Sequence, residues 1–245
     1  MRVWLARAEV RNAFNENLIA ELTQVFSSIP ADARVAILGG RGEVFCAGAD
    51  LQYMKRLGEM GREENMQDAR ALADMLAAVN ACPVPLVGRM QKAAFGGAIG
   101  LLACCDSVIC TDDSTFAFSE VRLGISPATV APYVIAKIGE SAARDLFLSG
   151  EKWDAQRALA MGLVHQVAPP EELDAAVDAK VRELLKAGPQ AARATKRLIR
   201  EVAGSVAAEL REATARLIAD LRSSAEGREG LSAFIQKRKP SWMDN

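Results

Sequence analysis

One histidine, His165, is all that 245 residues supply, so a histidine-dependent triad or a His-rich metal site has nothing to build on. Aromatic residues make up 5% of the chain and are not interleaved with the basic ones, which removes the stacking platforms of a nucleic-acid binder. No run of about 18 apolar residues occurs, and the opening MRVWLARAEVRN has no apolar signal core. A cytoplasmic protein without a membrane span is expected. The five cysteines (Cys46, Cys82, Cys104, Cys105, Cys110) are odd in number, lack C-x-x-C spacing and lie in apolar runs. They read as buried free thiols, His165 in GLVHQV reads as a structural side chain, and no metal is expected.

What is present is an ordinary globular composition, 50% hydrophobic and 25% charged, in a chain long enough to bury a full core. The net charge of −1 is unevenly spread: residues 1–179 carry −7 and residues 180–245 carry +6. A basic C-terminal third is by default a solvated helical face; it also suits contact with the acidic remainder or with a phosphorylated ligand.

Apolar periodicity places a short strand at the start, a helix over 15–28 and a buried strand over 35–38. Residues 53–61, charged and glycine-containing, read as a mobile loop or frayed helix, followed by a helix over 64–81. Short strands at SVIC and TFAFSE, helical runs over 129–138, 141–148 and 154–161, and a last strand near 164–167 come next. From 170 only helices are expected: 170–187, 189–202, 206–222 with a stripe of Val206, Leu210, Ala213, Leu217 and Leu221, and 232–239. The layout is α/β with a helical tail.

Three segments carry chemistry. QKAAFGGAIGLLACCD (91–106) runs a strand through Gly96 and Gly97 into a helix, exposing backbone N–H groups suited to a phosphate or a developing oxyanion. CAGAD (46–50) is a second glycine-containing loop after a strand. If the two loops meet, one N–H from each converges on one oxygen. Glu120 ends the alternating run TFAFSE; beside an apolar strand end its pKa would rise and suit it to proton transfer, whereas on the surface it would be an ordinary glutamate.

VRNAFNENLIAEL, FCAGADL, KAAFGGAIGLLACCD, FAFSEVRLGISP, ARDLFLSGEKWDAQRALAMGLVHQV and EGLSAFIQKRKP together resemble the crotonase superfamily, the enoyl-CoA hydratases and isomerases, in order, spacing and nearly full coverage. The resemblance implies a spiral of ββα units over 1–180, a helical trimerisation region over 181–245, and homotrimers or hexamers built of trimers. It implies an acyl-CoA thioester as substrate and no cofactor beyond the coenzyme A that the substrate carries. It puts the oxyanion-hole N–H groups on Ala49 and Gly97, next to Gly96, and a proton-carrying glutamate on Glu120. Coenzyme A contacts fall on Arg11, Asn12 and Ala13, on the loop of Ala47, Asp50 and Leu51, and on Lys237.

Two departures from the family pattern stand out. Two-glutamate hydratases have their other glutamate where this chain has Gly100, which implies an open space there, filled by a bulkier substrate or its carboxylate, with Arg122 as a candidate to face that carboxylate. The start reads ARAE (6–9) where the family has an Asn-Arg-Pro-Glu turn, so a short or truncated first hairpin is expected. AFGGAIGL with SEVRLGISPATVAPYV is most similar to hydratases of branched, carboxylated acyl-CoAs, the methylglutaconyl- and isohexenylglutaconyl-CoA group. The alternatives are a single-glutamate Δ3,Δ2-enoyl-CoA isomerase and an inactive binding subunit of the same fold. A dinucleotide site is disfavoured because FGGAIG lacks the G-x-G-x-x-G spacing.

Overall fold

A computed structural model describes residues 1–204 and 207–243. The strands are β1 (Arg2–Leu5), β2 (Ala36–Gly40), β3 (Leu86–Met90), β4 (Ala93–Phe95), β5 (Ser107–Thr111), β6 (Thr115–Ala117), β7 (Lys152–Asp154) and β8 (Gln166–Ala168). The helices are α1 (Glu16–Ser27), α2 (Leu51–Glu59), α3 (Arg62–Asn80), α4 (Gly97–Ala103), α5 (Ala131–Ser149), α6 (Ala155–Ala160), α7 (Leu173–Leu185), α8 (Pro189–Ala203), α9 (Ala208–Ser223) and α10 (Ala225–Ile235).

Five strands form a parallel sheet in the order β1-β2-β3-β5-β8. Both faces are covered, as parallel sheets require. The larger core holds Leu38, Leu86 and Val108 against Leu22, Phe26, Leu76 and Val79 of α1 and α3. On the other face Ile37, Val87 and Ile109 pack on Leu173 and Val177 of α7. α7 is therefore a layer of the core, and the expected boundary at 180/181 falls inside it.

A second sheet, β4-β6-β7, is fed from the first. β3 continues into β4 through Lys92 in the left-handed region (φ 62°), and β5 continues into β6 through the turn 112–114. β4 and β6 pair in parallel, and Cys46, which follows β2, bridges to Ala94 of β4 in the same sense. Each turn of the chain thus lays down a long strand, a short strand and a helix, and the short segments stack side by side.

Several sequence expectations need correction. Of the two readings of residues 53–61, a mobile loop or a frayed helix, the helix holds: α2 begins at Leu51 because the Asp50 side chain accepts from Gln52 N at 2.9 Å, and Tyr53, Met54 and Leu57 are buried beneath it. β1 makes no hairpin among the described residues; it is a parallel edge strand on β2. The runs 129–138 and 141–148 form one helix, α5, broken only at Gly139 (φ 76°). The last helix lies earlier than 232–239, at Ala225–Ile235. On α9 the buried face is Ala215, Ile218, Ala219 and Arg222, while Leu210 and Leu217 of the expected stripe are 47% and 48% exposed; Val206 lies outside the described residues. α9 packs along α3, and α10 on α2 and the 3-10 turn Glu120–Leu123. The C-terminal helices therefore fold back over the chain's own core.

Candidate active site

The three chemistry-bearing segments meet because each follows the short strand of a successive turn. Ala49 comes three residues after Cys46, Gly97 two after Phe95, and Glu120 three after Ala117, and these three short segments are paired neighbours. Phe14 fastens the first two. Its N–H donates to Gly48 O at 2.7 Å, its carbonyl accepts from Asp50 N at 2.9 Å, and its ring lies where a Cβ on Gly97 would meet it at 3.3 Å. Gly48 (φ 91°) brings its Cα against the Phe95 carbonyl, an approach and a dihedral that suit glycine alone. Bridging to Phe14 through the flanking residues turns the Ala49 N–H the other way. Among the described residues, neither the Ala49 nor the Gly97 N–H has an acceptor.

Glu120 stands against Gly96 (φ 54°), where a Cβ would sit 2.7 Å from Glu120 Oε1. Its Oε2 is shielded from solvent and has no hydrogen-bond partner among the described residues. Burial raises its pKa to about 7, against the smaller lowering effects of its own backbone amide and the Arg222 charge. Such a carboxyl gives up and takes back a proton near neutrality.

Arg7 ties the rim. It donates to the Ala13 carbonyl and pairs with Asp50 Oδ2 at 3.1 Å. Ala13 is buried, with its N–H on Val10 O and its carbonyl on Arg7, so neither backbone group is free for coenzyme A. Asp50 is engaged as the α2 cap and with Arg7; burial works to raise its pKa, and the Gln52 and Tyr53 amides with Arg7 outweigh it, so the net shift is downward. Asn12 braces the loop, donating to Arg41 O at 2.7 Å and Val44 O at 2.9 Å. Arg11 and Leu51 are exposed, Ala47 is half-buried with its N–H on Arg11 O, and Lys237 is exposed just past α10.

Two candidates are placed otherwise than expected. Gly100 is not beside an open space: it is buried, and a Cβ there would overlap Val130 Cγ1 and lie 2.9 Å from Val130 Cβ and 3.2 Å from Leu76 Cδ2. Apolar side chains have taken the volume, leaving no room for a substrate carboxylate. Arg122 is exposed and turns to Ser149 O at 3.2 Å, closing the end of α5 rather than facing the site.

The structure adds residues that sequence reasoning missed. Arg222 of α9 is buried and donates through Nη1 to Asp68 Oδ2 at 2.7 Å, while the Tyr53 hydroxyl donates to the other Asp68 oxygen. Burial and then Asp68 raise the Tyr53 pKa far above its ordinary value, so it stays a donor. The signal was in the sequence: Ala215, Ile218, Ala219 and Arg222 follow the 3–4 spacing of one helix face. Val130 carried none. His165 accepts from Val108 N at 3.0 Å and donates its own N–H to Val108 O at 2.8 Å, joining β5 to the segment before β8. The cysteines are buried and free, and burial pushes Cys46, Cys105 and Cys110 up to about 12.

A stacked α/β spiral with two free N–H groups and a desolvated carboxyl has the parts of an enzyme that moves a proton beside a carbonyl while charge gathers on its oxygen. The profile of the enoyl-CoA hydratase/isomerase family matches residues 1–245, and the chain belongs to that family. It is 31% identical over 243 residues to the 2,3-dehydroadipyl-CoA hydratase of Escherichia coli, covering 97% of this chain and 92% of that one. An enoyl-CoA isomerase/hydratase of Mycosarcoma maydis is 32% identical over 251 residues, covering 96% and 89%. The crystal structure of an enoyl-CoA hydratase from Mycobacterium avium superposes with a TM-score of 0.87 at 32% identity, covering 98% and 92%.

Proposed function

We propose that the chain is an acyl-CoA hydratase/dehydratase acting at a 2-enoyl thioester, with Glu120 as its sole proton carrier. The observation that carries this reading is the desolvated Glu120 carboxyl, its Oε2 without a partner among the described residues and its pKa raised by burial to about 7, set beside the free N–H groups of Ala49 and Gly97. The thioester oxygen accepts from both. Glu120 takes a proton from water as the water oxygen bonds to C3, the C2–C3 π electrons move onto the thioester as an enolate, and the same proton then passes from Glu120 to C2. Water adds whole, and dehydration is the reverse. Removing one oxyanion donor costs on the order of 10²–10³ in rate. Since the developing charge is held by N–H groups, the step calls for no metal or redox cofactor, and coenzyme A enters only as part of the substrate.

Arg11 and Lys237, both exposed, are the side chains of the expected set proposed to contact the coenzyme A phosphates. A branched, carboxylated acyl group of the 3-methylglutaconyl kind is the proposed substrate. Its support is the likeness of the segment around Glu120 to that group of hydratases, together with a relative named for 2,3-dehydroadipyl-CoA, itself a carboxylated thioester. A cytoplasmic homotrimer or hexamer is proposed with it.

A second reading is favoured by one observation: Val130 and Leu76 seal the place of a second carboxylate, and moving a proton between C2 and C4 of a 3-enoyl-CoA needs only one. The test is turnover of 3-methylglutaconyl-CoA, crotonyl-CoA and a 3-enoyl-CoA. Hydration of the first is expected to be fastest; turnover of the 3-enoyl substrate alone would replace the hydratase by the isomerase.

A further inference from the structure

Glu120 is not the only polar group of the site short of partners. Arg222, on the last turn of α9, is 8% exposed, and among the described residues its only acceptor is Asp68 Oδ2, reached through Nη1. Nε and Nη2 have none. Neither nitrogen is among the fully buried unpartnered side-chain atoms, so both keep contact with solvent and stand open to an incoming acceptor. The two nitrogens left over are adjacent and form an edge that takes a carboxylate through two parallel hydrogen bonds. Asp68, itself held by the Tyr53 hydroxyl, fixes the opposite side of the fork and offsets its charge.

Arg222 stands three residues before α10, the helix that packs on the turn carrying Glu120, and its Cα lies against Gly227 of that helix. Gly124, which closes the turn begun by Glu120, lies against the Glu226 backbone, and Gly230 lies against the Leu123 backbone. The Arg222 charge is near enough to draw the Glu120 pKa down. Arg122, the residue first expected to meet an acyl carboxylate, is turned away onto Ser149.

We propose that Arg222 is the specificity-determining residue of the acyl pocket, binding a carboxylate on the acyl group through its Nε/Nη2 edge. This rests on the reading of the chain as an acyl-CoA enzyme and deepens it: the C-terminal helices that cover the site also select its substrate.

The test is calorimetric titration of the full chain in a Glu120→Gln background, which slows turnover by roughly 10²–10⁴, with 3-methylglutaconyl-CoA and with 3-methylcrotonyl-CoA, which lacks the carboxylate. Adding Arg222→Gln is expected to weaken binding of the carboxylated thioester about 10- to 100-fold, the loss of hydrogen bonds to a charged group, and to leave the other unchanged. Arg222→Lys is expected to recover part of the loss. The double change Asp68→Asn with Arg222→Gln leaves no buried carboxylate unpaired and guards against misfolding; the preference is expected to vanish there too. Equal weakening of both thioesters, or no preference before Arg222 is changed, overturns the proposal. Hydration is measured separately on the chain with Glu120 intact: a binding preference without hydration would reject the hydratase and keep Arg222 as the carboxylate site.

Discussion

At the scale of single residues, Gly100 decides most about the chemistry. The sequence shows a glycine where relatives of one kind place a glutamate, and the natural inference is an empty space. Burial of Gly100 against Val130 and Leu76 reverses it, and no pattern within 91–106 foretells this, because the filling side chain arrives from thirty residues downstream. Gly100→Glu is therefore expected to lower the melting temperature, in line with about 1–3 kcal/mol for overpacking a close-fitted core, without raising hydration. Adding Val130→Gly should recover part of the lost stability. A Gly100→Glu chain that melts like the parent and hydrates faster would contradict this. The meeting of the CAGAD and FGG loops was readable in advance, because glycine spacing reports backbone directly, whereas the choice of Ala49 and Gly97 within them rests on the family resemblance. Arg122 and Arg222 show the opposite case: what each arginine can meet depends on where its side chain is tethered, on Ser149 O or on Asp68.

At the scale of elements, the convergence of CAGAD, FGG and FSE follows from topology. Short strands that pair side by side deliver the ends that follow them to one place. The alternation of strands and helices was legible, as was α1, whose Asn15 cap accepts from Leu18 N at 3.0 Å. α2 was legible only as a loop or a frayed helix, because its glycine and charges hide three buried residues on one face. The face of α9 was misassigned because large apolar residues were weighed above alanines, whereas close packing on α3 takes the small ones. The outward leucines then need another explanation, and the proposed assembly offers one.

At the scale of the whole molecule, α8 exposes Leu198, Ile199 and Val202 at 56%, 61% and 80%, and α9 adds Leu210 and Leu217. Apolar surface of this kind marks an interface, and it lies in the basic third of an otherwise acidic chain. Association as a trimer or hexamer is expected, with Leu198→Glu plus Val202→Glu shifting the mass toward monomer in light scattering. A parent chain that is monomeric at micromolar concentration would remove the proposed assembly. Among the described residues, no helix is long and apolar enough to cross a membrane.

The central claim is that Glu120 moves the C2 proton against an enolate held by two backbone N–H groups, and the rate of C2 hydrogen exchange into deuterated water from the hydrated product tests it most directly. Removing that proton needs the carboxylate form. Because burial has raised the Glu120 pKa from 4.5 to about 7, kcat/KM for exchange should be low at acid pH, climb as the pH passes through about 7, and then level off. Glu120→Gln should lower the rate by roughly 10²–10⁴ while thioester binding persists. Exchange at the parent rate in the Gln chain, or a profile already level from pH 5 upward, would contradict the account.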